Sequence, residues 1–219
     1  MKLCRFSSVP GAGLALSLLL VGVPGAYVRG AEAALTGEAG AARMEAVRNE
    51  VVNVRSNIFI TLVQLNEARG QPNPSGQQFQ VFTNQLVRME ELAKAFGKRA
   101  EEIKQRGNAY FADWEASTAR IQDPDQRRRA EQHYGDRKKS YDTIGQCMQD
   151  ARKSFLPFVE GLTKMKDLMQ GQLDDARQAT LRDLFMQANW HCIDIQRSLM
   201  QIEGELDNLA ASFRKDGAI

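Results

Sequence analysis

Residues whose types and spacing could do chemistry are few in this 219-residue sequence. His133 and His191 are its two histidines, and neither follows a Glu by three positions. The Glu-x-x-His pairs that hold di-iron sites inside bundles are therefore absent. No C-x-x-C, H-E-x-x-H or C-x-x-C-H occurs, which removes the common zinc and covalent-haem patterns. His191 stands beside Cys192, but adjacent helical residues point about 100° apart. Ordinary bundle positions are the simpler reading of both. There is no G-x-S-x-G nucleophile elbow and no Gly-rich phosphate loop in the body of the chain. Met148, Met165, Met169, Met186 and Met200 raise the question of copper. Methionine is an ordinary core filler, and that reading is favoured. No catalytic residue, metal or cofactor is expected.

Two groupings remain. Cys147 and Cys192 are 45 residues apart, with their midpoint between Met169 and Gln170. A hairpin turning there brings them level. A turn centred nearer Gln172 offsets them by about one helical turn, roughly 5 Å, and a disulfide needs Cα atoms about 4.4–6.8 Å apart. The pair is a disulfide candidate, with two buried free thiols as the alternative. The second grouping is basic: Arg120, Arg127, Arg128, Arg129, Arg137, Lys138 and Lys139 stand against Asp123, Asp125, Glu131 and Asp136, a local net of +3. Such a cluster suits anionic lipid headgroups or an acidic partner. Interleaved acids favour a solvated helix start with mixed ion pairs.

The N-terminus reads as an address. Lys2 and Arg5 precede a 13-residue apolar run, Gly11 to Val23, closed by Pro24 and followed by Ala31-Glu32-Ala33. This is the layout of a secretory signal peptide, and the run is too short to span about 30 Å of hydrocarbon. Cleavage is expected near Ala33, with Gly30 nearly as suitable. Cys4 precedes the run, so no lipoprotein anchor is expected there. Removing residues 1–33 takes away three basic residues and one acidic, so 29 against 27 becomes 26 against 26. The working domain, 34–219, is then neutral overall, with two cysteines. Export, to the periplasm or beyond, argues against a nucleic-acid partner.

The elements that carry these residues are helices. At 43% hydrophobic and 26% charged, the chain is neither wholly disordered nor a polytopic membrane protein. Val and Ile are few and scattered beyond residue 34. Breaks fall at Gly70 to Gly76 (GQPNPSG), at Asp123-Pro124, read as an N-cap followed by Pro at the first helical position, and at Gly171 to Asp175. Pro157 has no turn residues around it and is read as a kink inside a helix. Four segments result, about 38–69, 76–121, 124–170 and 174–214, each with an apolar stripe at 3–4 spacing. The strongest runs from Phe79 through Phe82, Leu86 and Met89 to Gly107, Tyr110 and Trp114. Gly107 on that seam is placed to allow close helix approach.

Sustained 3.5-residue spacing with short connections predicts an all-α fold. The expected form is an elongated antiparallel coiled-coil-like bundle of four long helices, up-down-up-down. Val52, Phe59, Ile60, Leu92, Phe111 and Ile193 lie off the narrow seams. They either widen the core or form a partner face.

Ala109 to Glu115 (AYFADWE), Ile121 to Arg129 (IQDPDQRRR), Tyr141, Met148, Ala151, Phe155 and Pro157-Phe158-Val159 together resemble a bacterial family, domain of unknown function 2959. Leu173, Ala176 and Leu181 continue the resemblance, which runs from about Arg43 to Phe213. It implies a helical, exported protein and no activity. The chain departs from the family's pattern in lacking a Cys just after the apolar run. It also departs at Gln170-Gly171-Gln172-Leu173-Asp174, where the family has Lys-His-Asn-Leu-Asn. The combined expectation is an exported, non-enzymatic coiled-coil protein acting as a structural or partner-binding bundle in the cell envelope. Its partner is an envelope protein or a second copy of itself. An anionic membrane surface is the alternative, and an enzyme or cofactor carrier the remote one.

Overall fold

The computed structural model describes residues 37–70, 76–171 and 174–216. The leader expected at 1–33 lies outside the described residues. Four helices follow in order: α1 (Gly37–Arg69), α2 (Gln77–Thr118), α3 (Pro124–Met169) and α4 (Asp175–Asp216). They contain 33, 42, 46 and 42 residues, about 50–70 Å each at 1.5 Å per residue. No strand occurs among the described residues.

Each helix packs against two others: α1 on α2 and α4, and α3 on α2 and α4. The ring is therefore closed. Side-chain pairs fix its directions. Gln85 reaches Asn57 and Arg99 reaches Glu50, so α1 and α2 are antiparallel. Tyr141 reaches Lys104, Arg137 reaches Ser212, and Arg48 and Arg55 reach Asp207 and Glu203. Every neighbouring pair runs antiparallel, which is the up-down-up-down bundle the heptads predict.

The helix starts are set by local chemistry. The Asp123 carboxylate accepts from the N–H groups of Asp125 and Gln126 at 2.8 and 3.1 Å. Those two bonds hold its pKa below the usual carboxylate value, and Pro124 occupies the first turn, where no N–H is needed. Asp174 caps α4 in the same way, accepting from Arg177 N at 2.8 Å. α2 stops at Thr118, three residues short of the predicted end. Arg120 and Ile121 close tight i−3 bonds to Ser117 and Thr118, and Arg127 reaches back to the Ile121 carbonyl at 2.9 Å. Pro157 sits inside α3, which continues through it.

The seams read from sequence form the core, except that the seam of α2 is buried only from Phe79 to Met89 and half-buried from Ala93 to Trp114. Phe82, Ile58, Leu65, Met89, Phe158, Leu162, Met165, Met169, Ile195 and Ile202 are fully buried. Of the off-seam residues, Phe111 is buried, Val52 and Leu92 are half-buried, and Phe59, Ile60 and Ile193 are exposed. Polar groups at the α1 seam are bonded, whereas the buried Thr118 hydroxyl at the end of α2 has no hydrogen-bond partner among the described residues. Thr61 donates to the Asn57 carbonyl, and the Asn57 side chain bridges Asn53 and Gln85.

Gly107 allows the α2–α3 contact. A Cβ there would lie 2.3 Å from the Tyr141 ring, whose hydroxyl donates to the Lys104 carbonyl at 2.6 Å. A Cβ on Gly145, also mid-helix, meets nothing within 4 Å. Gly145→Ala is expected to stabilise by about 0.5–1 kcal/mol. Gly107→Ala should forfeit that gain by displacing Tyr141. Paired urea unfolding curves check this, and equal stabilisation by both substitutions would contradict the Gly107–Tyr141 contact.

Candidate functional site

Cys147 and Cys192 are both buried free thiols, so the bridge the 45-residue spacing suggested is not formed. Register is the reason. Arg137 of α3 stands opposite Ser212 of α4, with Nε–Oγ 3.1 Å. Ten residues further along α3, Cys147 is level with about Ile202, and Cys192 lies ten residues beyond, roughly 15 Å along the axis. The turn is centred later than Gln170 because Asp174 caps α4 and so delays its start. Burial pushes both thiols above the usual cysteine value. Asp150 and Glu205 add to the effect at Cys147, and a bond with Gln196 partly offsets it at Cys192. Both should count as free thiols in denatured, unreduced protein and react slowly in the folded state. A peptide map carrying a Cys147–Cys192 linkage would contradict this.

The seven basic candidates do not form one face. Arg137 is buried, its guanidinium over the rings of Phe213 and Trp114. Arg127 is engaged by the Ile121 carbonyl, and Lys138 by Asp142. Arg128 lies 3.9 Å from Asp125. Arg120, Arg129 and Lys139 are exposed. Beside them Tyr110, Phe111, Trp114, Tyr134 and Tyr141 pack ring against ring, with centroids 5.1–6.4 Å apart. That cluster ties α2 to α3 and accounts for most of the aromatic residues of this tip.

The sequence reading did not single out the outward face of α4. Met186, Trp190, Ile193 and Met200 are 56%, 69%, 48% and 58% exposed, and Phe59 of α1 is 56% exposed beside them. Met186 and Met200 are thus surface residues, unlike the buried Met165 and Met169. Their spacing, 186-190-193-197-200, repeats the 4-3-4-3 of the inner seam. Arg197 occupies the one charged position and is paired at 3.3 Å with Asp194 on its own helix. Between α1 and α4 lies an open groove of about 470 Å³. Phe59 and Leu62 line it from one side, and Cys192, Ile193, Gln196 and Met200 from the other. Its lining is mostly apolar, with Asn189, Gln196 and the cationic Arg197 as its polar residues, and includes no carboxylate.

Among the described residues, no three His, Cys, Asp or Glu side chains are grouped as a metal site. No helix there is long and apolar enough to cross a membrane. His133 is exposed and His191 half-buried, on different helices.

No curated protein and no solved structure matches this chain. One family model does, described as protein of unknown function (DUF2959), over residues 43–203. That span takes in nearly all of α1, the whole of α2 and α3, and α4 as far as Glu203, the partner of Arg55. It includes the AYFADWE and IQDPDQRRR segments and the whole of the α4 stripe. On a match covering well over half of its length, the chain belongs to the DUF2959 family.

Proposed function

We propose that this chain is an exported, non-enzymatic bundle that works in the cell envelope by helix-mediated association through the outward face of α4. The observation that carries the reading is the exposed stripe from Met186 to Met200, with Phe59 alongside. The interior is already closed by a ring of four helices, so this second stripe is surplus to folding. Isolated surface apolar residues need no explanation, but a contiguous patch of them marks an interaction site. Export rests on residues 1–33, with two basic residues, a 13-residue apolar run and an A-x-A site.

The reading predicts that Trp190→Glu/Met200→Glu keeps the helical content and melting temperature of the parent yet loses its association with envelope chains. Pull-down from envelope extract, with circular dichroism on the same samples, checks both halves. Equal capture by parent and variant would refute the reading. The captured protein should begin near Ala34 or Ala31, and an intact Met1 would refute export with cleavage. The basic tip supports an anionic-membrane role less well, because Arg127, Arg137 and Lys138 are engaged within the bundle.

A further inference from the structure

We infer that the occupant of the α4 stripe is a second copy of the same chain, docked antiparallel about a two-fold axis that passes beside Ile193. This rests on the association reading above and names its partner. Phe59, Met186, Trp190, Ile193 and Met200 are each about half exposed or more. At about 200 Å² for a large side chain, they leave roughly 500–600 Å² of apolar surface. That is at the upper end of what a monomer exposes, about 300–600 Å². A stable dimer takes about 800 Å² per partner, and the half-buried Asn189 and Gln196 and the exposed Arg197 of the groove lie where they extend the patch toward that figure.

A two-fold contact must match a surface with itself, so that residue i meets j while j meets i. In an antiparallel contact centred on Ile193, position 193 + n lies opposite 193 − n. Met200 then meets the second copy's Met186, and Ile193 meets Ile193. Trp190 falls opposite position 196, one residue from the second copy's Arg197. Arg197 is the single cation of the stripe and Trp190 its single aromatic on α4. The two-fold therefore brings each cation within about one residue of an indole, twice over, within reach of a cation–π contact. The 4-3-4-3 spacing is that of helices that pack lengthwise. A partner of unrelated sequence would not require this internal symmetry.

Single-cysteine crosslinking under mild oxidation tests the axis, with the parent protein as background because its own two described thiols are buried. Ile193→Cys should form a disulfide-linked dimer in high yield. Met200→Cys alone should not, because the two copies of residue 200 stand fourteen positions apart, about 21 Å. A mixture of Met186→Cys and Met200→Cys proteins should crosslink to each other. Sedimentation of the parent should show a concentration-dependent dimer that Arg197→Glu weakens at least tenfold, with circular dichroism confirming that each variant is folded. A dimer in which Met200→Cys links to itself and Ile193→Cys does not would overturn the assigned axis. A parent that sediments as a monomer overturns the proposal. If Trp190→Glu still abolishes capture of another envelope chain, the association reading survives that failure. If that monomer floats with phosphatidylcholine vesicles through Trp190, the occupant is lipid and both readings fall.

Discussion

Phe158→Ala is expected to lower the stability of the bundle by about 3–5 kcal/mol. Phe158 is fully buried on α3 and belongs to the main core with Leu162 and Met165. Removing its ring forfeits the transfer of a large apolar side chain and leaves a cavity. The cavity has little room to collapse. α3 is held on one side by α2 through Tyr141 and on the other by α4 through Arg137. Chemical unfolding followed by circular dichroism measures the loss. Trp190→Ala provides the contrast: its side chain is 69% exposed, so truncation should change stability by no more than about 0.5 kcal/mol. A loss below about 1 kcal/mol at Phe158 would contradict the closed four-helix core.

The second large effect is expected at Arg55 and Glu203, the best-buried ion pair between α1 and α4. Arg55 Nε lies 2.6 Å from Glu203 Oε1, and Nη2 lies 3.4 Å from Oε2. Glu203 is buried, while Arg55 keeps part of its surface in water. Gln196 donates to the Arg55 carbonyl at 3.0 Å, which ties the same two helices again. Arg55→Met strands a buried carboxylate and should cost about 1–3 kcal/mol, less than a fully desolvated pair because the arginine is partly solvated. The double substitution Arg55→Met/Glu203→Met replaces both charges by apolar groups and should recover most of that loss. A double-mutant cycle reads the coupling. Additive losses would contradict a direct pair.

The fold was legible because it depends on a repeating signal. Phe82, Leu86, Met89, Leu162, Met165, Ile195 and Ile202 occupy 3–4 positions on long helices, and all are buried. The ends of α1 at Arg69, of α2 at Thr118 and the start of α3 at Pro124 fall close to the breaks read at Gly70 to Gly76 and at Asp123-Pro124, because composition displays turn chemistry directly. The cysteine pairing was less legible, because a disulfide depends on a register that a few residues of turn can shift. Asp174, by capping α4, moves the hairpin centre and separates Cys147 from Cys192 along the bundle. Arg137 gave a mixed signal: it lies on the α3 stripe and in a basic run at once. The aromatic tip and Ser212 draw it inward.

The outward face of α4 was the hardest to see for a physical reason. One helix carries two stripes at the same spacing, and periodicity alone does not say which of them meets the core. Ile193 and Phe59 stood out as off-seam residues, but Trp190, Met186 and Met200 did not, because each fits a helical pattern of some kind. Only the packing of α1 and α3 against α4 decides that Ile195, Leu199 and Ile202 face inward while Trp190, Ile193 and Met200 face out. The same pattern, read for a second heptad on the opposite side, is the signal that would have found it.

The central claim is that the α4 stripe serves association and not folding. Sedimentation equilibrium and thermal unfolding of the parent and of Trp190→Glu/Ile193→Glu, on the same samples, test it most directly. The account predicts a self-associating parent and a variant that is monomeric at every concentration. At concentrations low enough for the parent to be monomeric, the two should melt within a few degrees of each other. A variant whose melting falls sharply below that of the monomeric parent would make the stripe part of the fold, and an unchanged association state would place the interaction elsewhere.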